Sequence, residues 1–152
     1  YPLDLISWEE NFEYLLSKHW INIIINSTVT PLTIKTLPDL LAKFNEWNKV
    51  RKIYHWQNSV NDPSNQFIDI FGPIFKDDFE KAIALKPEST EEEILSKEYL
   101  RGIATQSVNG EPNVKSITEL FNLLNKLDHR RNTDWTKTFP WLVEEFKKYE
   151  LI

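Results

Sequence analysis

The stretch Trp20-Ile21-Asn22-Ile23-Ile24-Ile25-Asn26-Ser27-Thr28-Val29-Thr30-Pro31 decides the fold. Trp and β-branched Ile fill most of its first half, and residues of this kind favour a strand over a helix. The apolar run does not alternate, which predicts a strand covered on both faces, as in a parallel sheet flanked by helices. Asn, Ser and Thr follow it, and Pro31 ends it. In open α/β sheets ligands bind at such carboxyl ends of strands.

A second strand is expected from Lys52 to Ser59, carrying Ile53, Tyr54, His55 and Trp56. Between the two strands, Leu37, Leu40, Leu41, Phe44 and Trp47 fall at helical spacing, with Thr36 as the cap and Pro38 and Asp39 in the first turn. Strand, helix, strand is the pattern of a right-handed crossover between parallel strands. The turn-forming run Asn58 to Asn65 then opens on the same sheet edge as the polar turn after Asn26.

Ahead of the first strand, Ser7-Trp8-Glu9-Glu10 reads as a capping box for a helix to about Lys18, with Trp8, Phe12, Leu15 and Leu16 on one face. After Phe67 the pattern is helical. Gly72-Pro73 starts a helix with Phe75, Phe79, Ala82 and Ile83 inside. Ser89 or Thr90 caps another, whose first turn holds Glu91, Glu92 and Glu93 and whose expected inner residues are Leu95, Tyr99, Leu100 and Ile103. Gln106 to Asn113 reads as a loop. Ser116 to Glu119 reads as a capping box before the stripe Ile117, Leu120, Phe121, Leu124, Leu127. Thr138 and Pro140 open a last helix that buries Leu142, Phe146 and Tyr149. The expected fold is therefore helix-rich α/β, with a small, partly parallel sheet in residues 1–66 and a helical extension in residues 67–152, packed as one compact domain.

Composition narrows the function. A chain of 152 residues with nine Phe, six Trp and five Tyr buries a real core. The net charge of -5 leaves no basic footprint for nucleic acid, and no apolar run is long enough for a membrane span. The chain has no cysteine, hence no disulfide, no thiolate nucleophile and no thiolate-held metal, which suits a cytoplasmic setting. It has only three glycines, and no P-loop, dinucleotide fingerprint or nucleophile elbow is present. His19, His55 and His129 share no metal-ligand spacing and read as ordinary structural or surface residues. Asp128 and Arg131 are expected to pair across one helical turn. The polar strand ends, Asn26, Ser27 and Thr28 with Gln57 and Asn58, carry two readings: contacts to a small ligand, or satisfaction of loop backbone. No residues are assigned to catalysis or to a metal.

Several segments together resemble a known family. These are Trp8-x-x-Asn11, the run Ile24 to Thr30 followed by Leu37-Pro38-Asp39-Leu40, Asn58-x-Val60-x-x-Pro63, and the ending Leu127-Asp128-His129-Arg130-Arg131-Asn132-Thr133-Asp134-Trp135 with Phe139-Pro140-Trp141-Leu142. In this order they resemble the C-terminal half of radical S-adenosylmethionine proteins of the twitch-domain type, including uncharacterised ones carried by phages and marine bacteria. The resemblance implies that the two strands are the late strands of a partial (β/α) barrel. It implies that Asn26, Ser27, Thr28, Gln57 and Asn58 face the nucleoside side of S-adenosylmethionine, with a [4Fe–4S] cluster held by a cysteine loop in an N-terminal half of the parent. Neither cofactor is expected on this chain, which lacks that loop and carries Thr33 where relatives often show Asn. With Tyr1 first and no Met, the chain is expected to be a fragment of, or a degenerate relative within, that family, silent by itself. Its partner is then the missing half. The alternative is a stand-alone or self-associating interaction module. An enzyme that uses only carboxylates and histidines is a third option.

Overall fold

The structure, a computed structural model, describes residues 4–152. Helix α1 (Leu5–Leu16) leads to strand β1 (Ile24–Val29), the crossover helix α2 (Leu37–Val50) and strand β2 (Tyr54–Ser59). Helices α3 (Lys76–Leu85), α4 (Glu91–Asn109), α5 (Val114–Arg131), α6 (Trp135–Thr138) and α7 (Pro140–Lys148) complete the chain. The fold is helix-rich α/β. Its sheet is a single parallel pair, β1 beside β2, in register from Ile24 opposite Tyr54 to Val29 opposite Ser59.

The strand begins later than its sequence pattern. Trp20 to Ile23 lie outside β1, and Trp20 is 83% exposed. A parallel ladder extends only as far as both strands run, and β2 starts at Tyr54, whose N–H donates to the Ile23 carbonyl at 3.2 Å. The expectation that both faces of β1 are covered also fails. Ile25, Ser27 and Val29, with His55, Gln57 and Ser59, face the helices. Ile24, Asn26, Thr28, Tyr54 and Asn58 face outward and are exposed, with Trp56 half-buried beside them. Among the described residues the helices cover one side of the sheet.

Two apolar cores meet on α2. Phe12 and Leu16 of α1 pack with Phe44, Trp47 and Ile53, and Phe12 lies 4.4 Å from Trp47 between ring centroids. The larger core joins Val29, Ile34, Leu37 and Leu41 to Phe71, Phe75, Phe79, Leu100, Ile117, Leu120, Leu142 and Phe146. That core crosses the 66/67 boundary without a break. Leu40 touches both cores, so the crossover helix unites them.

Several caps differ from expectation. Asp4, not Ser7, caps α1: its Oδ1 accepts the N–H groups of Ile6 and Ser7, and Ser7 Oγ donates to Oδ2. A carboxylate is the stronger acceptor and adds a turn to the helix. Thr36 stands at the N-cap of α2 without a side-chain cap bond; its hydroxyl donates to the Thr33 carbonyl. Asn113, not Ser116, caps α5, with Oδ1 accepting the Ser116 N–H at 3.0 Å. Thr90 and Glu93 do form a capping box on α4. That helix runs on to Asn109 through part of the expected loop, and Leu95 and Tyr99 are exposed. Leu100 and Ile103 are buried as expected, and the rest of the buried face is Glu93, Ser96, Lys97, Ala104 and Ser107, because polar groups meet the edge of β2.

At the C-terminal end Asp128 does not pair with Arg131. Its carboxylate accepts the Trp135 N–H and the Thr133 hydroxyl, each at 2.6 Å. Asn132 ends α5 in the left-handed region at φ 51°, which Asn tolerates. The turn seats Trp135 in the core, where Nε1 donates to Asn125 at 2.9 Å and the ring meets Phe146 edge-on. Pro140 opens α7 as expected, whereas Thr138 belongs to α6.

Phe146 is fully buried among Phe71, Phe121 and Trp135. Phe146→Ala is expected to lower the free energy of unfolding by about 3–5 kcal/mol in urea titrations. Trp20→Ala, at an exposed site, is expected to change it by less than about 0.5 kcal/mol.

Candidate functional site

Alternation along β1 and β2 divides the polar strand ends between the two faces of the sheet. Asn26, Thr28 and Asn58 stand on the open face at the carboxyl ends of the strands, where Thr28 is opposite Asn58. Ser27 and Gln57, opposite one another, turn toward the helices. The five residues therefore do not converge on one point. Thr33 holds the turn behind them, accepting the Thr30 N–H at 2.9 Å and donating to the Thr28 carbonyl at 2.7 Å.

On the helix face the structure assembles a buried polar network that the sequence pattern does not reveal. Ser27 Oγ lies 2.5 Å from His55 Nε2. His55 is only 4% exposed and packs against Phe44, and its Nδ1 faces Gln57 and Lys86. With the Gln57 amide oxygen turned to the ring, every partner is satisfied. The amide nitrogen donates to the Ser96 carbonyl at 3.0 Å, while the oxygen accepts from His55 Nδ1 at 3.1 Å and from Lys86 Nζ. That assignment places the ring proton on Nδ1 and leaves Nε2 to accept the Ser27 hydroxyl.

Lys86, in the link between α3 and α4, is 4% exposed. Its ammonium donates to the His55 carbonyl at 2.8 Å and to Ser96 Oγ at 2.6 Å. Residue 55 points its carbonyl away from β1, so Lys86 and Ser96 occupy the place of a third strand along β2. Glu93 lies beside them at the start of α4, bonded to Lys52 and to the N–H groups of Ser89 and Thr90.

Serine, imidazole and amide in a row resemble the order of a hydrolytic triad, but the charges oppose that chemistry. A triad stabilises imidazolium with a neighbouring carboxylate. Here burial first, and then the Lys86 charge, push the His55 ring from the ordinary 6.5 down to about 3. Burial likewise lowers Lys86 from 10.5 to about 8, against the opposing pull of Glu93. The ring is held neutral, and the network acts as a fastener between the sheet and α4. Three of the five expected site residues, Asn26, Ser27 and Thr28, nevertheless border one groove of about 320 Å³ along β1, walled by Trp8, Thr33, Leu37 and Leu40, whereas Gln57 and Asn58 do not line it.

Lys86 and Ser96 are the residues that sequence reading passed over, and His55, read as an ordinary structural or surface residue, is structural and buried. His55 is one of three scattered histidines, and Lys86 sits in an ordinary Leu-Lys-Pro link with no periodic signal of burial. Among the described residues no group of three or more His, Asp or Glu side chains is placed to hold a metal ion. Without cysteine the chain offers no thiolate to a [4Fe–4S] cluster. No described helix is long and apolar enough to cross a membrane. No family model, curated protein or solved structure matches this chain.

The network makes stability depend on pH in a defined direction. Below about 6.5 the unfolded chain takes a proton on His55 that the folded ring refuses until about 3. The stabilising contribution is thus full above 6.5 and is lost as pH falls toward 3. Ring ¹⁵N NMR is expected to show a neutral Nδ1–H tautomer throughout pH 5–8, with the urea midpoint declining as pH falls below about 6.5. A ring that titrates near neutrality would contradict the assignment.

Proposed function

We propose that this chain is the non-catalytic C-terminal portion of a radical S-adenosylmethionine iron–sulfur protein, with β1 and β2 as the terminal strands of a partial (β/α) barrel. One observation carries the reading: the sheet is finished on one side and unfinished on the other. Lys86 and Ser96 bond the His55 carbonyl on the outer edge of β2, whereas Ile24 and Asn26 on the outer edge of β1 meet no further strand among the described residues. Helices cover one face, and the other is left open.

A parallel sheet in isolation is normally covered on both faces. In a barrel the helices lie outside and the opposite face looks inward, the arrangement that β1, α2 and β2 have here. On this reading further strands continue from the edge of β1, and the partner is the N-terminal half of the parent, in the cytoplasm. S-adenosylmethionine and the [4Fe–4S] cluster belong to that half, since this chain has no cysteine. Asn26, Thr28 and Asn58, on the open face, have the position from which a strand end meets a cofactor. Ser27 and Gln57 are engaged in the His55 network and serve the sheet.

Sequencing the source DNA upstream of Tyr1 tests the family form directly. A continuous frame carrying a Cys-x-x-x-Cys-x-x-Cys loop is the expected result; a frame that starts just before Tyr1 without it overturns the proposal. Calorimetric titration of this chain alone with S-adenosylmethionine is expected to give no binding heat, because no iron anchors the cofactor here.

The second reading, a self-associating module, is favoured by the exposure of Ile24 (57%) and Tyr54 (36%) on the open face. Unpaired strand edges of this kind pair readily with other chains. Analytical ultracentrifugation of this chain then shows concentration-dependent association, and Ile24→Lys returns it to monomer. A strict monomer at high concentration removes this reading.

A further inference from the structure

The outer edge of β1 is an unguarded strand edge of defined length. In a parallel pair the backbone groups of successive residues point to opposite sides of the strand. The Tyr54 N–H donates to the Ile23 carbonyl, so Ile25 and Ser27 address β2, and Ile24, Asn26 and Thr28 address the outside. The N–H and carbonyl groups of Ile24 and Asn26 and the N–H of Thr28 have no partner among the described residues. Beyond them Thr33 closes the edge. Its Oγ1 donates to the Thr28 carbonyl at 2.7 Å and accepts the Thr30 N–H at 2.9 Å. Proteins commonly guard a strand edge with lysine, proline or a bulge, and Ile24–Val29 contains none of these.

The groove of about 320 Å³ runs beside this edge. It is lined by Ile25, Ser27 and Val29 of the strand and by Trp8, Leu37 and Leu40 of the helices, and no lining residue is charged. An uncharged groove along an unpaired strand edge suits an added strand that sends an apolar side chain inward while its backbone completes the ladder.

We propose that the occupant is β1 of a second copy of this chain, paired antiparallel about a two-fold axis at Asn26. The proposal rests on the self-association reading above and gives that reading its geometry. In this register the two Asn26 residues exchange N–H···O bonds, and each Thr28 N–H donates to the Ile24 carbonyl of the other copy. The Thr28 carbonyl keeps a second lone pair for the Ile24 N–H. Sliding by one ladder step leaves the Thr28 N–H unpaired in one direction. In the other it sets Ile24 opposite Thr30, whose N–H Thr33 already holds. The chain's own strand also fits by side chain. Ile25 of the added copy stands opposite Ser27 and enters the groove, and Ile24 covers Thr28 on the open face. Two chains of net charge -5 meet there with no charged group to bury or oppose. Each strand is already extended, so pairing costs less ordering than capture of a loose peptide.

The test is the dimer dissociation constant by analytical ultracentrifugation for the chain and three variants. Asn26→Pro removes only an outward N–H, which an edge strand tolerates, and is expected to weaken the dimer about thirtyfold through loss of both central hydrogen bonds. Asn26→Lys and Asn26→Asp, at an exposed position, set like charges opposite one another and are each expected to weaken it about tenfold. An equal mixture of these two is expected to recover the affinity of the unaltered chain. A strict monomer removes the self-association reading and this geometry with it. Association that Asn26→Pro leaves unaltered, or a mixture no tighter than either charged variant alone, overturns the geometry and leaves self-association through another surface.

Discussion

The His55 carbonyl, held by Lys86 Nζ at 2.8 Å and Ser96 Oγ at 2.7 Å, joins the first part of the chain to the second. A strand at the border of a sheet presents unpaired backbone groups, and here two side chains from the α3–α4 region satisfy one of them. The cost is a lysine and an imidazole taken out of water together. Both respond by favouring their neutral forms, His55 strongly and Lys86 in part. Removing any one partner leaves the others buried and unsatisfied, which ties α4 to the sheet more specifically than apolar contact alone.

The consequence is an asymmetric sheet. With β2 closed off by α4 and β1 bare, any continuation of the sheet has one direction in which to grow. The open face bears Ile24 and Tyr54 toward the start of the strands and Asn26, Thr28 and Asn58 toward their ends. That gradient, apolar to polar along one surface, is what a barrel interior with a ligand at its carboxyl end requires. It equally gives an unpartnered chain a surface prone to association.

The same division of labour holds in the helical part. Asp128 was open to reading as half of an ion pair with Arg131, and in the fold it fastens the turn that delivers Trp135 into the aromatic core. The ending from Leu127 to Trp135 is thus a packing device, and its polar residues serve the backbone.

By itself the sequence determined the elements: a β-branched run at Ile24 and an aromatic one at Tyr54, apolar stripes in α2 and α5, and prolines at the helix starts at Pro38 and Pro140. Local chemistry suffices for these, since periodicity and stiffness act over a turn or two. The helix-rich α/β class and the parallel pair follow from their order. What only the tertiary structure decided is which residues are inside. Ser27 meets His55 across 28 positions and Lys86 meets His55 across 31, and no local pattern marks a lysine for burial when its partners lie that far away. Leu95 and Tyr99 are exposed for the same reason: α4 presents its polar side to the sheet edge, and the free energy of that long-range network outweighs the stripe. Asn26, Thr28 and Asn58 were legible as strand-end residues, but their separation from Ser27 and Gln57 required knowing which face the helices cover.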